Sequence, residues 1–480
     1  MPKKTTDETP GPVILWFRRD LRLDDNPALH AAAGTGRPVL PLLILDPEEE
    51  IGGASRWWLH GSLEALSDNL ARLGPPLVLR RGAPSDILPA LVEEVGAEAV
   101  FWNRRYEPRA VERDKVLKSA LTEKGVEVKS FAASLLAEPW EVETGSGGPY
   151  KVFTPFWRAL SQFSFDAPLA APEKLARVKD IATDRLKDWN LLPSKPDWTS
   201  GLRAIWEPGE EGARKRLVAF VDGAMTDYGD ARDIPGTEGT SRLSPHLHWG
   251  DISPRRIWHV VRGSEGGAGR AGDAFLRELA WRDFACHLLY HWPEIVTENW
   301  KRQFDAFPWV KNDAAFEAWT AGRTGYPIVD AGMRQLWQTG WMHNRVRMIA
   351  ASFLIKHLMV DWRRGAEWFE DTLVDADLAV NRASWQWVAG SGADAAPYFR
   401  IFNPVLQGEK FDADGDYVRA FVPELAKLDA KYIHKPWEAP VKLLADAGVE
   451  LGETYPEPIV DHGTARNRAL AAYRDMKGDS

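Results

Sequence analysis

One cysteine, Cys286, stands in 480 residues. A disulfide framework, a zinc ribbon and a cysteine-held iron–sulfur cluster therefore cannot be built within the chain. No run of about 18 apolar residues occurs, so no segment is suited to cross a bilayer as a helix. The start, residues 1–12, is polar and lacks the apolar core of a secretory signal, so the expected compartment is the cytoplasm. No G-x-G-x-x-G follows the first apolar run, which argues against a nicotinamide dinucleotide site. No internal repeat or low-complexity tract is present. Lys plus Arg is 60 against 69 Asp plus Glu, a formal charge of −9. That balance excludes a wholly basic nucleic-acid coat but leaves room for a local basic patch, because the field in a groove depends on nearby charges. What is abundant is tryptophan, at 23 residues. So many indoles imply either stacking surfaces or a large core.

The remaining composition, 44% hydrophobic and 27% charged, is that of a soluble globular protein. The length suggests about two to four domains. Short apolar runs at 13–17, 38–45, 77–79, 99–102 and 126–128 alternate with helix-like stretches at 26–33, 55–73, 84–95 and 108–124. This alternation predicts an α/β N-terminal domain, residues 1–130, with a doubly wound parallel sheet covered on both faces. Residues 131–208 read as a connector, marked by Gly145-Ser-Gly-Gly-Pro149 and by Pro193, Pro196 and Pro208, with helix around 155–162. Beyond it the strand signal ends. Segments 271–291, 330–358 and 361–374 carry apolar residues at helical spacing, which predicts an all-α C-terminal domain, 209–480, ending in a terminal helix with a frayed end.

Four segments hold residue types that do chemistry. In Gly239-Thr-Ser-Arg-Leu-Ser-Pro-His-Leu-His-Trp-Gly250, three hydroxyls precede a helix start, an arrangement suited to a diphosphate. Taken alone, plain N-capping is the simpler account. In Glu278-Leu-Ala-Trp-Arg-Asp-Phe284, Glu278, Trp281 and Arg282 fall on one helix stripe and suit a planar, hydrogen-bonding ligand. Taken alone, an exposed Glu–Arg pair beside a core Trp explains it as well. Thr324-Gly-Tyr-Pro-Ile-Val-Asp330 leads into Gly340-Trp-Met-His-Asn-Arg-Val-Arg-Met348. Six Lys/Arg between Ala331 and Arg364 face one acid, Asp361, with Trp337, Trp341 and Trp362 interleaved. A basic, aromatic groove of this kind is the footprint of a nucleic-acid site, and a solvated helix face over core indoles is the alternative. Last come Asp375-Ala-Asp377 and Asn381-Arg-Ala-Ser-Trp-Gln-Trp387, continuing to Gln407. Trp385 and Trp387 point in different directions on a helix, and no histidine cluster accompanies the two acids, so no metal is expected.

In this order the four segments resemble the photolyase/cryptochrome family. The resemblance runs from Trp16-Phe-Arg-Arg-Asp-Leu-Arg22 to Gln407-Gly-Glu-Lys-Phe411, with TGYPIVD, GWMHNR and NRASWQW as its specific motifs. It implies an N-terminal antenna domain and a helical domain that holds FAD. Tyr228, Thr240, Ser241, Arg242, Leu243 and Ser244 resemble the FAD clamp. Phe275, Arg282, Asn344, Arg347, Asp375 and Asp377 resemble further flavin contacts. Asn381 matches the residue beside flavin N5, where plant cryptochromes place an acid, and a neutral amide there favours an anionic reduced flavin. Glu278, Trp281, Asn344, Arg345, Met348 and Trp387 resemble the lesion pocket, with Arg400 and Gln407 as further DNA contacts. Trp385, Trp362 and Trp309 match the electron-relay tryptophans. In the branch that repairs the six-four photoproduct, two histidines stand at Asn344 and Met348. Asp375-Ala-Asp377 departs from the Gly that many relatives carry between the acids.

The resemblance therefore implies a light-driven carbon–carbon lyase. Excited, fully reduced FAD gives an electron to a cyclobutane pyrimidine dimer flipped out of DNA, the ring splits, and the electron returns. A dimer is poorly stacked and flips at low cost, and each base stacked on Trp281 or Trp387 gains about 1–3 kcal/mol. The resemblance further implies a methenyltetrahydrofolate antenna at Asn103-Arg-Arg-Tyr-Glu107, with Glu107 in contact, or alternatively a deazaflavin. The expected partner is DNA containing pyrimidine dimers, with no membrane, and the expected state is a monomer. The rival reading is a cryptochrome-type photoreceptor that binds FAD without repair. Such members often carry a long C-terminal tail, and here about 70 residues follow the Gln407 segment.

Overall fold

The computed structural model describes residues 10–179, 181–395 and 399–478. Most of the polar start, residues 1–9, and the last two residues of the polar C-terminal end lie outside these. The five apolar runs form one sheet. β1 (Val13–Phe17), β2 (Val39–Leu45), β3 (Val78–Arg81), β4 (Ala99–Asn103) and β5 (Glu127–Phe131) alternate with α1 (Pro27–Gly34), α2 (Gly53–Leu73), α3 (Pro84–Val95) and α4 (Pro108–Glu123). The order is β3-β2-β1-β4-β5, with every neighbouring pair parallel. β1 and β4 are buried throughout and read as unbroken apolar runs because helices cover both faces. Proline opens α1, α3 and α4, where its missing N–H is no loss. β3 and β5 are edge strands and extend into the water-facing Arg81 and Lys129, beyond the apolar residues that mark them in sequence.

The strand order reverses between β1 and β4, the place where open α/β sheets bind ligands. Here the crevice is filled by its own side chains. Asn103 Nδ2 donates to Asn26 Oδ1 at 2.8 Å and to Asp20, Asn103 Oδ1 accepts from Ala28 N at 3.1 Å, and the buried Arg18 donates to Asn103 O and Asp114.

After β5 the chain returns to the sheet edge, where Leu79 N donates to Thr183 Oγ1 at 2.9 Å. α5 (Phe153–Leu160) and α6 (Ser200–Ile205) follow. The helical part then runs through α7 (Glu210–Asp222), α8 (Tyr228–Ala231), α9 (Ser244–Trp249), α10 (Pro254–Gly263), α11 (Arg270–His291), α12 (Asp313–Thr320), α13 (Pro327–Thr339), α14 (Asn344–Ser352), α15 (Trp362–Thr372) and α16 (Leu378–Ala389). It closes with α17 (Pro404–Phe411), α18 (Asp416–Phe421), α19 (Ala430–Ile433), α20 (Val441–Ala447) and α21 (His462–Lys477). The periodic stretch 330–358 is not one helix. Gly340 ends α13 at φ +66°, a conformation a side chain rarely adopts, and a π-helical turn, Phe353–His357, follows α14.

Eleven of the 23 indoles are buried in the core. One apolar cluster joins the two domains: Trp58 of α2 meets Trp206 at 5.4 Å between ring centres, and Trp206 meets Trp341 at 6.4 Å. Trp58 Nε1 also donates to the buried Asp251 at 3.1 Å, and Ser55 Oγ to Leu373 O at 2.9 Å. Among the described residues, no helix is long and apolar enough to cross a membrane.

Candidate functional site

A cavity of about 540 Å³ opens in the helical domain between α8, α9, α11, α14 and α16. Its volume is in the range of cofactor and substrate pockets, about 300–1,000 Å³. Seventeen of the expected residues line it. Tyr228 comes from α8, Thr240, Ser241, Arg242 and Leu243 from the turn before α9, and Ser244 from its first residue. Phe275, Glu278, Trp281 and Arg282 come from one face of α11, as their spacing required. Asn344, Arg345, Arg347 and Met348 come from α14, Asp375 and Asp377 from the turn before α16, and Trp387 from α16 itself.

One end of the cavity is polar. Asp375 Oδ2 accepts from Ser244 Oγ at 2.6 Å and from Arg347 Nη2 at 2.8 Å, while Arg347 Nε donates to Met342 O at 2.7 Å. Ser244 is thus spent on Asp375, and α9 takes no side-chain cap. The N-capping account of these hydroxyls does not hold. Arg242 adopts φ +50°, a left-handed conformation uncommon outside glycine, with its guanidinium 5.2 Å from the Trp341 ring. Arg282 Nη2 reaches Leu247 O at 3.5 Å and Nη1 donates to Ser134 O, so Arg282 forms no pair with Glu278.

Several buried polar atoms on these lining residues have no protein partner. They are Asp375 Oδ1 and the Nε–H groups of Arg242, Arg282 and Arg345. Buried polar atoms are normally satisfied. One carboxylate oxygen and three guanidinium donors on the lining residues fit a ligand that carries both hydroxyls and anionic phosphates. FAD has that chemistry, and Ser244, Asp375, Arg242 and Arg347 are side chains that could hold it.

The other end is aromatic. Trp281 and Trp387, from different helices, both line the cavity. Trp281 stacks on Phe153 of α5 with centroids 3.7 Å apart and planes 13° apart and meets Phe284 edge-on at 5.7 Å, so the indole is firmly backed where it lines the cavity. Glu278 Oε1 accepts from Arg232 Nη1 at 2.6 Å, and Arg345 Nη2 donates to Asp233 Oδ2 at 2.7 Å.

The remaining expected residues lie elsewhere. Asn381 is buried on α16 and is not a lining residue, although Val380, Ala383 and Ser384 around it are. Its Nδ2 donates to Ala366 O at 3.0 Å and to Glu370 Oε1 at 3.1 Å, because its turn of α16 packs on α15. Trp385 and Trp362 share the largest apolar core cluster, at 2% and 0% exposure, and half-buried Trp309 packs against it. Trp385 sits so close to α15 that a β-carbon at Gly365 would come within 2.2 Å of its ring. Arg400 is exposed over the Phe402 ring and Gln407 is half-buried on α17.

Glu107 lines a separate cavity of about 50 Å³. Its Oε1 accepts from Arg105 Nη2 at 2.8 Å. Burial alone raises its pKa, but the Arg105 and Arg19 guanidiniums override this and hold the carboxyl well below the usual carboxylate range. The expected contact between Glu107 and a folate therefore finds neither room nor a free carboxylate.

The basic stretch is also corrected. Arg334 pairs with Glu424 at 2.8 Å, Arg345 with Asp233, Arg347 with Asp375, Arg363 with Asp361 at 3.0 Å and Arg364 with Asp313 at 2.9 Å. Lys356 is buried, which pushes its ammonium down to about 7. Acids from distant segments cancel most of the local excess, so counting charge along the chain overstates the field. Sequence reasoning missed Arg232, Asp233 and Phe153 as parts of the site, because none of the three carries a spacing signal, and it assigned Trp341 only to a basic groove. Among the described residues, no group of three or more His, Cys, Asp or Glu is placed to hold a metal.

Residues 13–173 match the family described as DNA photolyase, and residues 275–475 match the FAD binding domain of DNA photolyase. The chain is 57% identical to a deoxyribodipyrimidine photo-lyase of Agrobacterium fabrum, over 97% of this chain and 98% of that one. It is 40% identical to cryptochrome-1 of Arabidopsis thaliana, over 97% of this chain and 70% of that one. A crystal structure of a bacterial class III photolyase from Agrobacterium tumefaciens superposes with a TM-score of 0.96 at 55% identity, covering 99% of this chain and all of that one. With the cavity, its polar clamp and the indoles of α11 and α16 in view, these likenesses place the chain in the photolyase/cryptochrome family.

Proposed function

We propose that the protein repairs cyclobutane pyrimidine dimers in DNA in a light-driven reaction, as a carbon–carbon lyase. The observation that carries this reading is the aromatic end of the cavity, where Trp281 and Trp387 stand beside Glu278, Asn344 and Met348. When bound and fully reduced, FAD would supply the light-driven electron chemistry, one electron given to the dimer and returned after the ring splits. The chain's residues bind and orient. Trp281 and Trp387 stack on the flipped bases, and Glu278 reaches the base edge. Asn344 and Met348 carry no titratable proton, which suits a dimer that needs an electron and no acid. Asn381 offers a neutral amide that delivers no proton where plant cryptochromes have an acid. Trp385, Trp362 and Trp309 carry electrons to the flavin, and Arg400 and Gln407 touch the DNA flanks. The protein acts as a monomer in the cytoplasm.

A folate antenna completes the reading, placed away from Glu107. A cavity of about 330 Å³ between the two domains has room for a pterin, where the Glu107 cavity has not. Its lining includes the indoles of Trp198 and Trp337, flat faces suited to a pterin ring, and Trp337 is 60% exposed. A deazaflavin at the sheet's switch point is disfavoured by the side chains that fill it. The absorbance spectrum of the purified protein tests this, and Trp337→Ala should remove the folate band while leaving the flavin bands.

The repair reading is tested by incubating reduced protein with dimer-containing DNA in the dark and then under blue light. Loss of dimer in the light alone is expected. Dimer that persists under light would favour a photoreceptor that binds FAD without repair.

A further inference from the structure

We propose that Arg232 and Asp233 are the positioning residues of the lesion pocket, aiming Glu278 and Arg345 through two ion pairs of opposite polarity. The inference rests on reading this cavity as the dimer pocket. Arg232 Nη1 holds Glu278 Oε1 at 2.6 Å, and Asp233 Oδ2 holds Arg345 Nη2 at 2.7 Å. Two successive residues thus grip two different helices, α11 and α14. The four side chains are between 19% and 31% exposed. Pairs that open to water add little stability, so their consequence is direction.

The segment that carries them is itself fixed. A β-carbon on Gly239 would lie 2.5 Å from Ala231 O, so the loop closes tightly on the end of α8. At Gly236 the loop lies against α18, where a β-carbon would stand 3.3 Å from Tyr417 N. Its two ends lead into Tyr228 and into Thr240–Ser244 of the polar clamp. Arg345 is otherwise held by apolar neighbours, with the Phe411 ring 4.5 Å away and the Met348 sulfur 4.0 Å away. An acid beside a surface that receives DNA repels phosphate, and Asp233 is explained by what it does to Arg345.

That gives the test its sign. If Asp233 acted only through its charge, Asp233→Asn would strengthen binding to all DNA. As a positioning residue, its loss weakens binding to dimer DNA and leaves undamaged DNA unchanged. The full chain with its flavin is titrated in the dark with a duplex carrying one thymine dimer and with its undamaged twin. Asp233→Asn is expected to bind the dimer about three- to tenfold more weakly, and to add less than about twofold when placed on Arg345→Gln. Arg232→Gln is expected to slow light-driven repair of bound dimer about three- to tenfold, with little change in dark affinity, and Arg232→Lys restores most of the rate. Its effect should not add to that of Glu278→Gln.

Equal or tighter dimer binding by Asp233→Asn overturns the proposal, as does full additivity of Arg232→Gln with Glu278→Gln. Loss of flavin or of thermal stability in Asp233→Asn would mark a structural residue and overturn it too. A wild-type protein with no preference for the dimer sinks the functional reading itself. A preference that Asp233→Asn leaves undiminished sinks only this inference.

Discussion

Trp281 has a dual environment: its ring stacks on Phe153, and the residue lines the cavity. Trp281→Ala removes a base stack and is expected to weaken dark binding of dimer DNA by about 1–3 kcal/mol. Phe153→Leu removes only the backing ring and should cost about 0.5–1.5 kcal/mol in the same titration. Equal affinities in all three proteins would show that the indole is not a stacking wall. Two residues further along α11, Asp283 is buried and accepts from Leu136 N at 3.0 Å, and burial pushes its carboxyl up to about 7. The unfolded chain releases that proton near pH 4, whereas the native protein keeps it until about pH 7. Native protein binds the extra proton in that window, so this residue makes stability fall as pH rises from about 4 to 7 and level off above. Asp283→Asn should flatten that part of the stability–pH curve in denaturant titrations.

Among the elements, α14 presents Asn344, Arg345, Arg347 and Met348 to the cavity. It is capped by a histidine: His343 Nδ1 accepts from Arg345 N at 3.2 Å. Burial pushes this imidazole down to about 4, so it stays neutral and able to accept through the physiological range. The unfolded chain takes up the proton near pH 6.5, whereas the native chain refuses it until about pH 4. The contribution is therefore complete above about pH 6.5 and is lost as pH falls toward 4. His343→Ala is expected to cost about 0.5–2 kcal/mol at pH 7.5 and to shrink the acid-side loss of stability. A variant with the wild-type acid limb would assign that limb to other buried histidines. The bounds of α11 and α15 were largely legible, because both follow apolar spacing and α15 starts after the Asp361 cap. The break at Gly340 was not, since it depends on a glycine pressed near Val374, which lies far along the chain.

At the scale of the whole molecule, the two domains share an apolar cluster and close backbone approaches. Gly250 adopts φ +70°, and a β-carbon there would lie 2.2 Å from Arg19 O. Gly250→Ala is expected to destabilise the protein by about 1–3 kcal/mol or more, lowering the thermal midpoint and loosening flavin retention. An unchanged midpoint would mean that the domains do not depend on this approach.

Local and periodic features were determined by the sequence alone. The alternation of apolar runs and amphipathic stretches dictates a parallel sheet followed by helices, since side-chain periodicity and burial are set within a few residues. The resemblance to the photolyase/cryptochrome family marked 17 of the cavity-lining residues, and helix periodicity by itself put Glu278, Trp281 and Arg282 on one stripe. The tertiary structure alone decided which charges meet. Arg232 reaches Glu278 across 46 residues, Asp233 reaches Arg345 across 112, and distant acids neutralise the basic stretch. It also decided volume, closing the space beside Glu107 and opening one between the domains. Coulombic pairing and free volume depend on where remote segments come to rest, and no local pattern encodes that.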